Sequence, residues 1–183
     1  MSAPDPPLRS MRRRDRAVED PAWIRDFLAR AAVGTVAVCD GPQPLLVPNL
    51  FLFDPERGAV YVHSARLGTT RSVAEANDRV AFAVHEMGRL LPADEALEFS
   101  TEFASVVAVG RATIVEDPDE AREALQALLD KYAPHLSPGR DYRPPTPEEM
   151  TRTTVLRIDV ESWSGKRKAA EPDFPGAYTW PPP

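Results

Sequence analysis

The chain of 183 residues is long enough for one hydrophobic core and too short for two ordinary domains. Hydrophobic residues make up 43% and charged residues 27%, a composition that excludes a disordered chain and is typical of a soluble globular protein. The formal net charge of -6 argues against nucleic acid as a partner, because proteins that bind nucleic acid usually carry a strongly basic face.

No segment has the character of a membrane span or of a secretory signal. The longest apolar run, residues 45–53, is far shorter than the roughly 18 residues that a membrane span needs. The arginines near the N-terminus lead into acidic residues instead of an apolar stretch, so we expect a cytoplasmic protein with no membrane partner. The single cysteine, Cys39, lies in an apolar run and is expected to be a small buried side chain without chemistry.

Twenty prolines crowd the two ends of the chain and residues 134–147. Residues 1–10 are therefore predicted to be a disordered N-terminal tail, and residues 169–183 a poorly ordered, proline-rich C-terminal tail. A single domain is expected between them, at residues 11–168. The arginine-rich stretch 12–16 is interpreted as a solvated arm on an acidic body.

In the first half of the domain, a helix is followed by a run of strands. Asp20 followed by Pro21 is a typical helix start, and Gly34 ends the apolar pattern of that helix. The pattern then changes to strands at residues 35–39, 45–53 and 59–63. Both alternating faces of residues 45–53 are apolar, so this strand is expected to lie in a closed or doubly covered sheet.

In the second half, we predict a short helix at 70–76, a strand at 79–85, a polar loop at 86–96 and either a long strand pair or one bent strand at 97–115. A second main helix begins at Asp117 and Pro118, and a last strand covers 154–163. Mostly antiparallel strands, two main flanking helices and one short helix, without a βαβ repeat, predict an α+β protein built on a small β-barrel.

The sequence lacks the motifs of hydrolases, kinases, zinc enzymes and dinucleotide-binding folds, and no metal site is expected. One segment has the composition of a phosphate site: a strand ends, the chain turns at Gly68, and a helix begins. Hydroxyl and guanidinium groups lie along it, and with the first N–H groups of the helix they suit an anion. These groups belong to Ser64, Arg66, Thr69, Thr70 and Arg71. Taken alone the signal is weak, and an ordinary helix cap with surface arginines is the alternative that these residues favour.

A second segment interrupts the apolar run at Pro48 and Asn49. Proline inside a strand indicates an edge or a bulge, where free backbone groups can meet a ligand. A bulge without function is the equally plausible alternative at this point.

Seven segments in register resemble the nitroimidazole-resistance (Nim) branch of the pyridoxamine-phosphate-oxidase-like superfamily of FMN-binding split barrels. They are residues 12–16, 33–37, 47–50, 61–65 with Gly68, Asn77 with 79–82, 105–112 and 164–167. The resemblance covers about residues 11–168. It implies a homodimer of split β-barrels with FMN in a cleft between the subunits.

The resemblance also implies the residues that would hold the cofactor. Pro48 and Asn49 are expected near the flavin ring, and the 68–71 turn at the phosphate. The full set of candidate cofactor-binding residues is Pro48, Asn49, His63, Ser64, Ala65, Arg66, Gly68, Thr69, Thr70, Arg71, Ser105 and Lys166. Relatives commonly carry lysine or arginine where this chain has Thr70, so Arg71 is expected to replace that charge. Haem, which some split-barrel relatives bind through a histidine, is the alternative cofactor.

The function expected from this resemblance is an FMN-dependent oxidoreductase acting on small molecules, either nitroreductase-like or pyridoxamine-phosphate-oxidase-like. His63 is the candidate catalytic residue, as a proton donor, with a packing role as the alternative. Pyridoxamine-phosphate oxidase activity itself is less expected, because residues 165–168 and a proline tail replace an arginine-rich substrate segment. The rival hypothesis is a non-enzymatic flavin or haem carrier, or a sensor.

Overall fold

The computed structural model describes residues 13–66 and 69–181, with the backbone alone for Thr69 and Thr70. The predicted N-terminal tail and Gly68 therefore lie outside the described residues. The elements in chain order are β1 (Ala17–Val18), α1 (Pro21–Arg30), β2 (Gly34–Asp40), β3 (Gln43–Asn49), β4 (Phe51–Asp54), β5 (Ala59–Ala65), α2 (Thr69–Ala76), β6 (Arg79–Leu91), β7 (Ser100–Ile114), α3 (Pro118–Tyr132), α4 (Pro147–Met150) and β8 (Thr153–Lys168). None of the helices in the described part of the chain is long and apolar enough to cross a membrane.

The two main helices begin where the sequence predicts. The Asp20 carboxylate accepts a hydrogen bond from the Ala22 backbone N–H at 2.9 Å, and Asp117 does the same for Asp119 at 2.9 Å. Each cap is followed by proline in the first helical turn, where the missing N–H is not needed. The buried side chains of these helices are Ile24, Phe27 and Leu28 in α1 and Ala121, Ala124 and Leu128 in α3.

The strands form one antiparallel sheet in the order β3-β2-β6-β7-β8-β5-β4, with β1 added to β8. Strands β3 and β4 lie at opposite ends of this order, although Leu50 alone connects them. One residue spans only about 3.5 Å, so the two ends of the sheet must meet at Leu50. The sheet is therefore a barrel that is open along one line, between β3 and β4, which we call the seam. This is the predicted split β-barrel of the α+β class.

The barrel interior holds the main hydrophobic core. Phe51 and Phe82 meet edge to face there, with ring centroids 4.8 Å apart, and α1 and α2 add Phe27 and Val73 to the same cluster. A second, smaller core lies outside the barrel, where α3 covers β5 and β8 and buries Tyr61. The first half of β5, residues 59–62, is thus covered on both faces, which explains its continuous apolar character.

The outward side of β2, β6, β7 and the second half of β8 is less buried than the outward side of β5 beneath α3. We call it the outer face. Its side chains are small or apolar and mostly half-buried in the single chain. They are Thr35, Ala37, Ala81, Ala83, Val107, Val109, Ser162 and Ser164.

Three local predictions are wrong. The strand at 45–53 is two strands, because the chain crosses from one sheet edge to the other at Leu50. The loop at 86–96 is instead largely strand, since β6 continues to Leu91 and pairs with β7 beyond the barrel. Cys39 is exposed, because it lies at the end of β2 where the hairpin to β3 extends into solvent.

Residues 169–181 pack against β6, whereas their proline content predicts poor order. The backbone groups of Leu90 and Tyr178 bond each other in both directions, at 2.7 and 3.2 Å. The Arg89 guanidinium donates to the carbonyls of Glu171 at 3.0 Å and Pro172 at 2.8 Å. In the described residues β6 pairs with β2 at residues 81–83 and not beyond them, so its free edge can receive this segment.

Candidate functional site

The structure divides the predicted cofactor residues into two groups at opposite ends of β8. Ser64 pairs with Thr154 at the start of β8, whereas Ser105 pairs with Lys166 near its end. Lys166 follows Thr154 by twelve residues, which is about 40 Å along an extended strand. In the described residues no strand pair or hydrogen bond joins the two groups, so Ser105 and Lys166 do not adjoin Arg66 or Arg71 within one chain.

The first group lies around the residues that lead into β8. The Arg66 guanidinium donates to the Thr151 carbonyl at 3.0 Å. The Arg71 guanidinium donates to Thr154 Oγ1 at 3.3 Å and to the Glu75 carboxylate at 2.9 Å. Thr154 is buried, with 2% of its surface exposed. The two guanidinium groups thus bond residues that lie three positions apart at the start of β8; we call Arg66, Arg71 and Thr154 the arginine cluster.

The arginine cluster fits a phosphate. The Arg66 guanidinium has five N–H donors, and one of them bonds the Thr151 carbonyl. Because the Arg66 side chain is exposed, its other donors are accessible to a ligand. The Arg71–Glu75 pair is a surface pair one helical turn apart, worth about 0.3–0.5 kcal/mol. A hydrogen bond to a charged group contributes about 1.5–3 kcal/mol, more than the pair with Glu75, so a phosphate placed here would displace Glu75 from Arg71. Thr69 and Thr70 are the first residues of α2, but their side chains lie outside the described residues.

Pro48 and Asn49 belong to the same end of the barrel. They come just before Phe51, which pairs with Val62 next to His63. The Asn49 side chain donates to the Val47 carbonyl at 2.9 Å, which fixes it against its own strand. Pro48 is exposed at the edge of β3, as its missing N–H requires.

His63 lies on the opposite face of β5 from Ser64. It shares that face with Tyr61, as the two-residue period of a strand predicts, and the face lies towards α3. Tyr61 is buried there, and its hydroxyl donates to Glu120 of α3 at 2.7 Å. Arg157 also donates to Glu120, at 2.9 Å, and the two bonds lower the pKa of this carboxyl while burial raises that of Tyr61. This network holds α3 over β5.

His63 reaches a cavity of about 380 Å³ between α3, β5 and the segment that precedes β8. The cavity is lined by Leu50, His63, Leu125, Leu128, Leu129, Tyr132, Pro145, Glu149, Met150 and Thr153. A second cavity of about 450 Å³ adjoins it and shares Pro145, Met150 and Thr153. We call the first one the His63 cavity.

Most polar groups of the His63 cavity are already bonded elsewhere. The Glu149 carboxylate accepts from Arg143 at 2.8 Å and from the Thr146 backbone at 2.8 Å, as part of the cap of α4. The His63 imidazole, by contrast, makes no hydrogen bond or ion pair with the described part of the chain. Among the described lining residues none is lysine or arginine. The cavity therefore offers apolar walls and one free imidazole.

The second group lies on the outer face. Ser105 of β7 is flanked by His85 of β6 on one side and by Lys166 of β8 on the other. Directly paired residues in antiparallel strands point to the same side, so these three side chains form one polar row. In the described ranges no group of three or more His, Cys, Asp or Glu side chains is placed to hold a metal ion.

The model of the family described as pyridoxamine 5'-phosphate oxidase matches residues 20–167. The chain belongs to this family. The match extends from the cap of α1 almost to the end of β8, so it includes both groups of candidate residues. A comparison with curated protein sequences finds no match.

Among solved structures with the same fold, two have names that refer to flavin and haem, and a third is named for nitroimidazole resistance. The flavocytochrome Anf3 from Azotobacter vinelandii has a TM-score of 0.78 at 23% identity, over 88% of this chain and 73% of that one. An FAD and haem binding protein from Mycobacterium smegmatis has a TM-score of 0.75 at 22% identity, over 86% and 76%. A candidate 5-nitroimidazole antibiotic resistance protein from Bacteroides thetaiotaomicron has a TM-score of 0.68 at 20% identity, over 82% and 86%.

Three residues that the structure brings beside the candidate site residues were not identified from the sequence. Thr154 begins the predicted last strand and carries no signal beyond that. The helical spacing of Tyr132 places it on the apolar face of α3, which gives no sign of a functional role, and Met150 lies in a short helix that was not predicted. Only the pairing of β5 with β8 and the packing of α3 on β5 bring these residues together.

Proposed function

We propose that this chain is a flavoprotein that binds FMN between two subunits and acts as an oxidoreductase on small molecules. The arginine cluster is the observation that carries the proposal, because it offers a phosphate two guanidinium groups and a buried hydroxyl. The division of the candidate residues supports a site shared by two chains: Ser105 and Lys166 of one subunit would complete the site that begins at the other's arginine cluster.

The outer face supports the same homodimer. It is a sheet face of small and apolar side chains, and Leu46 at its β3 edge is 71% exposed. A second copy of the chain would bury this face, and Ser105 and Lys166 lie on it. Ala83→Arg places a charge in its middle and is expected to give a monomer by light scattering. Ala29→Arg, on the exposed side of α1, is the control, and a dimer that survives Ala83→Arg would locate the contact elsewhere.

A bound flavin would supply the hydride or electron transfer, and the protein would supply orientation and shielding. Arg66 and Arg71 would hold the phosphate, while the backbone of 48–50 and 63–65 would lie along the ring. His63 would face the substrate and donate a proton from its imidazole.

The His63 cavity favours an uncharged substrate. A phosphorylated substrate needs cationic partners, and none of the described lining residues supplies one. The apolar walls suit a small, flat, neutral molecule such as a nitroaromatic compound, in line with the nitroreductase-like branch of the prediction. A cytoplasmic location stays a prediction from the sequence.

A second candidate function is a haem carrier, and one observation favours it. His63 is an exposed histidine without a hydrogen-bond partner in the described residues, next to an apolar cavity, and a single histidine is a common axial ligand of haem iron. The two relatives with names that refer to haem support the same alternative.

One set of spectra separates these functions. The purified protein is titrated with FMN, and separately with haemin, and its absorbance is recorded. Saturable flavin binding, followed by reduction of the bound flavin by NADH or NADPH and oxidation by a nitroaromatic compound, supports the oxidoreductase. Flavin binding without turnover favours a carrier, a haem Soret band that depends on His63 favours the haem protein, and no binding of either refutes both.

A further inference from the structure

The seam of the barrel is closed by two side chains of α3. Phe51 begins β4, whose only strand partner in the described sheet is β5, so its outward backbone groups face the open seam. The Phe51 N–H donates to the Tyr132 hydroxyl at 3.1 Å, and the Phe51 carbonyl accepts from the Lys131 ammonium at 3.0 Å. These two side chains therefore replace the neighbouring strand that β4 lacks.

The same two side chains reach the end of α1. The Lys131 ammonium donates to the Ala31 carbonyl at 2.9 Å, and the Tyr132 hydroxyl donates to the Ala32 carbonyl at 2.8 Å. Ala31 is the residue that ends α1, where a carbonyl without a helical partner favours a nearby cation. The last turn of α3 thus ties the seam to the end of α1.

Lys131 is an unusual residue for this position. Its ammonium lies 3.8 Å from the centre of the Phe51 ring, and its hydrogen bonds in the described structure are to backbone carbonyls, with no carboxylate. Burial lowers the pKa of Lys131 to about 8. An apolar side chain would fill the same space without desolvating a charge. Unlike an apolar side chain, the ammonium group donates a hydrogen bond to the Phe51 carbonyl and so fixes the position of that carbonyl.

We propose that Lys131 and Tyr132 are positioning residues, which fix the backbone of residues 48–50 for contact with the flavin ring. The part of this inference that concerns the flavin ring rests on the proposed function. Leu50 is the only residue between Phe51 and β3, so holding both backbone groups of Phe51 also fixes where β3 ends. We call Lys131 and Tyr132 together the clamp. The arginine cluster lies on other elements, so loss of the clamp should change the environment of the flavin ring without weakening the contacts to the phosphate.

The variants Tyr132→Phe and Lys131→Met test the clamp. Tyr142→Phe is the control, because it removes a hydroxyl that accepts from Gln126 at 2.8 Å, away from the seam. The first measurement uses the protein without flavin: amide hydrogen exchange at residues 49–51. Tyr132→Phe should speed exchange of the Phe51 amide about tenfold, the effect of losing one hydrogen bond, whereas Tyr142→Phe should leave it unchanged. Unchanged exchange in Tyr132→Phe would overturn the inference whether or not flavin binds.

The second measurement compares FMN with riboflavin, which lacks the phosphate. In Tyr132→Phe and Lys131→Met we expect affinity for both ligands to fall by the same factor, about threefold to tenfold, and the absorbance of the bound flavin to shift. The ratio of the two affinities should stay at its original value. If the native protein binds flavin while neither affinity nor spectrum changes in the variants, the positioning role is wrong and the flavin site stands. If the native protein binds no flavin, the proposed function is wrong, and the exchange measurement alone decides the role of the clamp.

Discussion

Replacing Arg71 with alanine is the sharpest test of the arginine cluster. Without a ligand, this change removes the surface pair with Glu75 and one hydrogen bond of 3.3 Å to Thr154. Those contacts are worth about 1 kcal/mol together, so the free protein should melt within a few degrees of the native one. With FMN bound, the change also removes a charge-assisted hydrogen bond of about 1.5–3 kcal/mol. The dissociation constant should therefore rise about ten- to a hundredfold.

The assay is a fluorescence titration of FMN in parallel with riboflavin. Because only FMN carries the phosphate, Arg71→Ala should weaken FMN and leave riboflavin unchanged. Glu75→Gln frees Arg71 from its competing carboxylate and should tighten FMN about twofold, the equivalent of about 0.4 kcal/mol for such a surface pair. Equal affinity of Arg71→Ala and native protein for FMN would refute the reasoning and transfer the role to Arg66 or to backbone groups.

Three further predictions concern other parts of the molecule. His63→Ala should melt nearly as the native protein does but reduce nitroaromatic compounds more slowly with bound flavin; equal turnover would assign His63 to packing alone. Gly110→Ala would place a methyl group 2.0 Å from the Asp159 carbonyl oxygen, so urea unfolding should show a loss of about 3 kcal/mol, and a loss below about 1 kcal/mol would contradict this. Hydrogen bonds from Arg89 and from backbone N–H groups lower the pKa of Glu102 to about 2. At a pH above the ordinary pKa of a glutamate, the ionised Glu102 therefore stabilises the packing of residues 169–181, and this stabilisation is lost as the pH falls through about 2. The NMR shift of the Tyr178 amide should therefore move on acidification, and already at neutral pH in Glu102→Gln; an amide that stays in place would exclude this link.

Local chemistry accounts for the parts of the fold that the sequence predicts correctly. Asp20 and Asp117 each precede a proline, and both caps form as expected. The apolar character of both faces near Phe51 predicts a closed sheet, which the barrel confirms. The crossing at Leu50 was not predicted, because the interruption at Pro48 and Asn49 fits a bulge within one strand as well as a break between two strands.

Distance along the chain explains what the sequence could not predict about the site. Lys131 is 80 residues from Phe51, and a lysine in the last turn of a helix ordinarily points into solvent.

The polar character of Glu86 indicates a loop, but β6 continues there because β7 pairs with it and both faces meet solvent. The prolines after residue 169 exclude a regular strand and do not exclude the single pairing of Tyr178 with Leu90.

The link at Leu50 makes chain length critical at one point of the molecule. Strands β3 and β4 occupy the two edges of the sheet, and one residue joins them. Most connections in this fold can vary in length, because a longer loop adds only a small entropic cost. An insertion at Leu50 would instead let the two edges separate, and a deletion would pull Phe51 away from its partners. Homologous chains are therefore expected to differ in length at residues 133–146 and to keep a link of one residue between these two strands.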